Sequence, residues 1–259
     1  MENVSHDGRE TAYRVAQPDG AGPTVLYVHG SGATHRIWAA QYGPRGPAHP
    51  AVALDLSGHG DSEDVDTATG SETLRAYADD VCAVADAVDT DVLVGNSLGG
   101  AVVQHVLLER ELPISAAVLA GSGAKLTVHE SLREVLAEDF AAAIDVLHDD
   151  DMLFHDTHDR LVGQSRATME AVGRAVTERD FLTCHAFDVR ERVDEIDIPV
   201  LALVGEYDRL TPVAYHEFLA EEIPDGRLAI VEDAAHLAMA EQPTAFAGAI
   251  ETFLDSLDD

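Results

Sequence analysis

Short, continuous apolar runs punctuate the chain at residues 24–28, 51–54, 91–94, 114–120, 199–204 and 228–231. None of them alternates polar with apolar positions. Unbroken apolarity over four to seven residues suits strands covered on both faces, as in a parallel sheet. The stretches between them carry helical periodicity. Residues 71–88 place Leu74, Tyr77, Ala78, Val81, Ala85 and Val88 on one face, with acids between them. Residues 98–108 read as a more apolar helix. Residues 212–219 and 243–257 each open on proline, which is favoured in the first helical turn. Alternating strands and helices predict an α/β fold, with a mostly parallel central sheet and helices on both faces.

Two features modify this rhythm. Near the start, Asp7-Gly8 separates two short segments and predicts an antiparallel opening hairpin. Between the fourth and fifth apolar runs, the chain shows helical patterns (131–147 and 164–177) but no strand of comparable quality. A structureless loop of that length is improbable in a compact domain, so an inserted helical cap is the better reading. The expected organisation is a first core part over 1–124, the cap over 125–192, and a second core part over 193–259.

The chain has 259 residues, 46% of them hydrophobic, enough for one large domain with a subdomain. Its charge changes the picture. Forty-eight acids against 16 bases give −32, and Lys125 is the only lysine. The acids are spread along the whole chain, so the bias belongs to the surface of the fold. Such a surface repels itself at ordinary ionic strength but is screened in molar salt. The composition resembles that of salt-accumulating halophiles. It also argues against nucleic acid as a partner, because phosphate binding needs a basic face. The two cysteines, Cys82 and Cys184, are expected to be buried free thiols. No signal peptide and no apolar stretch near the ~20 residues of a membrane span is visible. The expectation is a soluble, cytoplasmic protein of undetermined oligomeric state.

Candidate chemistry gathers at strand ends. Gly95-Asn96-Ser97-Leu98-Gly99 follows an apolar strand and opens a helix. Flanking glycines permit a tight, strained turn that presents a serine hydroxyl above a sheet. Serine is a weak nucleophile at neutral pH and needs a base. Of 13 histidines, His236 follows the last strand by a short loop and precedes the final helix, at the edge where Ser97 lies. Its imidazole needs an acid to fix the tautomer. Asp208, after the fifth run, is favoured. Glu206 in the same loop remains a competitor, and Asp233 is read as a solvated loop acid. The loop after the fourth run, Gly121-Ser122-Gly123, offers no carboxylate. Two backbone donors are needed where negative charge develops. Leu98 supplies one, and Ser31 in the turn His29-Gly30-Ser31-Gly32 is the expected second, with Gly32 its neighbour.

Together these residues resemble the α/β-hydrolase superfamily. His29-Gly30-Ser31-Gly32 matches its oxyanion turn, with Trp38 at a familiar spacing. Asp55-Leu56-Ser57-Gly58-His59-Gly60-Asp61-Ser62 resembles the turn after its next strand. The resemblance spans nearly the whole chain except the cap. It implies a serine hydrolase of small acyl substrates, needing no metal or organic cofactor, akin to esterases, enol-lactonases and carbon–carbon bond hydrolases. Serine at position 97 departs from haloalkane dehalogenases and epoxide hydrolases, which carry aspartate there. A triad-based lyase or perhydrolase, or a ligand-binding module with little turnover, remain alternatives, since fold does not fix function. In the cap, His148-Asp149-Asp150-Asp151 to His155-Asp156-Thr157-His158-Asp159 would, on a helix, bring Asp151, His155 and His158 or Asp159 to one face. A solvated acidic surface is preferred there over a zinc site. Met152, Leu153, Phe154, Phe181 and Phe187 are expected on the apolar underside of the cap.

Overall fold

The computed structural model describes residues 1–17, 20–43 and 49–257. Its centre is an eight-stranded sheet in the order β1-β2-β4-β3-β5-β6-β7-β8. β1 (Glu2–His6) and β2 (Arg9–Ala16) form the expected hairpin. Asp7 and Gly8 both have positive φ, +46° and +79°, the geometry that a two-residue turn needs to match strand twist. β2 runs antiparallel to β4 (Ala51–Leu54). From there the sheet is parallel through β3 (Val25–Val28), β5 (Val92–Asn96), β6 (Ala116–Ala120), β7 (Val200–Gly205) and β8 (Gly226–Val231).

Every residue of β3, β4, β5, β6 and β7 is buried. β8 departs from the expectation of strands covered on both faces, since Leu228 and Ile230 are 39% and 47% exposed. The cause is position: β8 closes the order of strands and pairs on one side only. Its apolar run is that of an edge strand with one open face.

α1 (Ser71–Val88) occupies the expected span and ends where Asp89 turns left-handed. α2 (Leu98–Glu109) starts directly after Ser97. Between β6 and β7 lie four helices: α3 (Glu130–Glu138), α4 (Phe140–Leu147), α5 (Asp159–Val172) and α6 (Arg174–Ala186). Each helical pattern read as continuous is in fact two helices. Asp139 breaks the first, its side chain accepting the Ala142 N–H and capping α4. Gly173 breaks the second at φ +86°. α7 (Val213–Glu222), the short α8 (Ala238–Glu241) and α9 (Pro243–Asp255) complete the chain. Because the strands from β3 onward are parallel, the loops after their C-terminal ends share one edge of the sheet, and these loops carry the residues described next.

Candidate active site

Ser97 stands between β5 and α2 with φ +54° and ψ −116°. A non-glycine residue in this region is strained and persists only where its surroundings hold it. Here the Ser97 N–H donates to the Ala120 carbonyl at 3.0 Å. The Ser97 carbonyl accepts the Gly100 N–H at 3.0 Å and the Ser122 hydroxyl at 2.9 Å. The flanking glycines are required by close backbone approach. A Cβ on Gly95 would lie 2.4 Å from the Gly99 oxygen, and one on Gly99 would lie 2.4 Å from the Val28 oxygen. Leu98 is the first residue of α2 and its side chain is fully buried.

His236 and Asp208 meet behind this turn. The His236 Nδ1 donates to Asp208 Oδ2 at 2.8 Å. The same oxygen accepts the Thr211 hydroxyl at 2.7 Å. Asp208 Oδ1 accepts two backbone N–H groups, Leu210 at 2.9 Å and Thr211 at 2.8 Å. Burial pushes the Asp208 carboxyl up, but His236 and Thr211 outweigh it and hold it below the ordinary value. Glu206 is exposed, and its carboxylate accepts the Asp233 N–H at 3.4 Å. Of the two acids in this loop, Asp208 therefore faces the imidazole. Asn96 donates to the Ala120 and His236 carbonyls at 3.2 and 3.4 Å, tying the serine turn to the histidine loop. Ser122 donates its N–H to His216 Nε2 at 2.9 Å. Burial holds the His216 imidazole near a pKa of about 4.

The turn Gly30–Ala33 closes by an Ala33 N–H to Gly30 carbonyl bond of 3.3 Å. Gly32, at its third position, has φ +64°, where a type II turn needs glycine. Its N–H donates to Asp180 Oδ2 of α6 at 3.2 Å. Of the two N–H groups considered in this turn, that of Gly32 is thus engaged elsewhere. His29 is locked as well: Nε2 accepts the Leu56 N–H at 3.0 Å, so Nδ1 carries the proton donated to Gly30 O at 2.8 Å. Burial, then the neighbouring His59, push its pKa down to about 4.

Ser31, Ser97 and His236 line one cavity of about 1210 Å³, somewhat larger than the usual ligand pocket. Core loops form one wall and the helices between β6 and β7 the other, through Leu161, Gln164, Thr168 and Phe181 among others. The five residues expected on the apolar underside divide. Phe154 and Phe187 are packed in the core, Met152 and Phe181 line the cavity, and the buried Leu153 does both. The run from His148 to Asp159 does not form the helix that would align its acids and histidines. It is largely turn, and His155 bonds Asp151 at 2.6 Å while its ring stacks on Tyr207 at 3.7 Å. Cys184 is buried, whereas Cys82 is partly exposed and so departs from expectation; both are free. Burial raises the two thiols to about 12 and about 11. Among the described residues, no helix is long and apolar enough to cross a membrane.

Asn96, Ser122, Thr211 and Asp180 brace the site, and the motif reading did not find them. For Asp180 the sequence held no signal, because the stripe of α6 that is buried, Val176, Thr177, Asp180, Thr183 and Cys184, is mostly polar and does not read as a core face.

The chain is similar to known proteins along nearly its whole length. It is 30% identical to a pimeloyl-[acyl-carrier protein] methyl ester esterase of Neisseria meningitidis, over 95% of this chain and 98% of that protein. It is 24% identical to 3-oxoadipate enol-lactonase 1 of Acinetobacter baylyi, over 98% and 96%. Among solved structures, a thermophilic esterase superposes with a TM-score of 0.86 at 30% identity, covering 98% of this chain and 97% of that one. The model of the alpha/beta hydrolase family matches residues 25–249. With a parallel sheet of the same architecture and relatives that are esterases and lactonases, the chain belongs to the alpha/beta hydrolase family and is a hydrolytic enzyme.

Proposed function

We propose that this enzyme is a serine esterase acting on small carboxylic esters or lactones through an acyl-enzyme on Ser97. The observation that carries the reading is the 2.8 Å contact of His236 Nδ1 with the buried Asp208, in a histidine that shares its cavity with the strained Ser97. Asp208 keeps the Nδ1 proton in place, so Nε2 is the free base. His236 Nε2 takes the proton of Ser97 as its Oγ attacks the acyl carbonyl. The Ser31 and Leu98 N–H groups hold the oxyanion. His236 then gives the proton to the departing alkoxide, and water, activated by the same base, frees the acid and restores Ser97. The segment 125–192 serves as a cap, and its cavity wall sets which acyl group fits. The enzyme works in a salt-rich cytoplasm. Relatives named for a methyl ester and an enol-lactone make methyl esters and lactones the first substrates to try.

Labelling with a fluorophosphonate in molar KCl, read by intact mass and peptide mapping, tests this without a guessed substrate. One adduct on Ser97, absent in Ser97→Ala, is the expected result. No adduct on demonstrably folded protein would overturn it and leave a ligand-binding module in its place.

A further inference from the structure

The acid that holds Gly32 comes from the helical insert, and it does more than anchor that insert. We propose that Asp180 is a positioning residue of the oxyanion turn: its buried carboxylate anchors the turn at Gly32 and so holds in place the loop that carries the Ser31 N–H. This inference rests on the esterase reading above.

The Asp180 carboxylate is fully buried and collects donors from three separate parts of the core. Oδ2 accepts the Gly32 N–H at 3.2 Å and lies 2.9 Å from His59 Nε2, while Oδ1 accepts the Tyr77 hydroxyl at 2.7 Å. His59 is itself fully buried, and its Nδ1 faces the Ser57 carbonyl at 3.2 Å. Both ring nitrogens thus face acceptors, and only the imidazolium donates to both. Burial opposes that charge, but Asp180 outweighs it and holds the His59 pKa above its ordinary value. The imidazolium offsets the carboxylate, so the turn is braced without a bare negative charge beneath the developing oxyanion.

Seating α6 does not require Asp180. Arg179 donates to the Val65 carbonyl at 2.7 Å and to Asp64 at 2.7 Å. Thr183 accepts the Gly70 N–H at 3.0 Å. What Asp180 alone provides is an acceptor for Gly32. A flip of the Ser31–Gly32 peptide would turn the Ser31 carbonyl and the Gly32 N–H but not the Ser31 N–H, which belongs to the preceding peptide. What the acceptor on Gly32 fixes is the seat of the whole turn, and the Ser31 N–H moves with that seat.

The experiment compares wild type with Asp180→Ala, which removes the acceptor, and Tyr77→Phe in molar KCl, with rates expressed per fluorophosphonate-reactive site. Asp180→Ala is expected to lower kcat about 10- to 50-fold, less than the ~10²–10³ of deleting a donor outright. KM should stay within about threefold. Affinity for a trifluoromethyl ketone, which forms a tetrahedral adduct, should fall by the same factor as kcat/KM, while that for a planar amide analogue holds. Tyr77→Phe leaves the Gly32 contact intact, and its kcat should stay within about twofold. If Asp180→Ala does not fold, Asp180→Glu, which keeps the charge but displaces the carboxylate by one methylene, carries the same comparison. Equal losses for tetrahedral and planar ligands, or an unchanged kcat per site, would overturn the inference alone. A wild type that takes no label would overturn the esterase reading and the inference with it.

Discussion

Replacing Asp208 with asparagine is the sharpest test of the site, because the structure dictates how the new amide must sit. Asp208 Oδ1 accepts the Leu210 and Thr211 N–H groups, and Oδ2 faces His236 Nδ1 and the Thr211 hydroxyl. An asparagine side chain has one acceptor end and one donor end. Turning its NH2 toward the two backbone N–H groups leaves both unsatisfied, about 1–3 kcal/mol each, or ~2–6 kcal/mol in all. The opposite orientation keeps both N–H groups on the oxygen, and the NH2 donates to Thr211 Oγ1 and His236 Nδ1, so only the Thr211 hydroxyl loses an acceptor. His236 must then accept at Nδ1 and carry its proton on Nε2, where it cannot take one from Ser97. A wrong-tautomer histidine in a Ser-His-Asp site lowers kcat about 10⁴-fold, or ~5.5 kcal/mol of barrier. Asp208→Asn should therefore stay folded by circular dichroism, lose that factor in kcat on any active ester, and label Ser97 correspondingly slowly. Glu206→Gln, at an exposed carboxylate, should leave kcat unchanged. A kcat for Asp208→Asn within about tenfold of wild type would refute the tautomer reasoning and the role given to Asp208.

Two further outcomes concern the whole molecule. His29 and His216 are held near pKa 4 by burial, against 6.5 in the open chain. The unfolded chain therefore takes up protons below pH 6.5 that the folded protein refuses until about pH 4. Their contribution to stability is intact above pH 6.5 and is lost as the pH falls through that window, on the order of a few kcal/mol together. Urea midpoints measured between pH 7 and 4.5 should fall, and His216→Gln should flatten the slope; an unchanged slope counts against it. The charge of −32 predicts that structure and activity persist or rise in molar KCl, where the Debye length is about 3 Å. Loss of circular dichroism as KCl is added would contradict this.

Much of the architecture is legible from local pattern because buried parallel strands leave unbroken apolar runs, and β3 to β7 are all of this kind. β8 shows the limit of that signal: Leu228 and Ile230 are as apolar as any core strand, and only the strand order reveals that one face is open. The breaks at Asp139 and Gly173 are invisible to periodicity, which runs straight through both. Each is legible only as local chemistry, a capping side chain and a left-handed glycine. Ser97 is readable because its turn imposes glycines at fixed spacing. The sequence favours Asp208 but leaves Glu206, two residues away, as a competitor, since the outcome depends on which one the turn to Thr211 folds inward. Asp180 is 148 residues from the Gly32 N–H it accepts, and only the packing of α6 against α1 and α2 brings the two together.

The helices between β6 and β7 divide their duties, and this matters for anyone wishing to redirect the enzyme. α6 is bound into the core by Arg179, Asp180 and Thr183. α5 has one buried residue, Met169, yet its Leu161, Gln164, Thr168 and Val172 follow helical spacing along the cavity wall. Replacing those four together rewrites that stretch of the cavity wall while leaving the buried carboxylate and the Gly32 turn untouched. Substrate preference in this scaffold can thus be altered by a combinatorial library on one helix face, screened without first repairing the catalytic machinery.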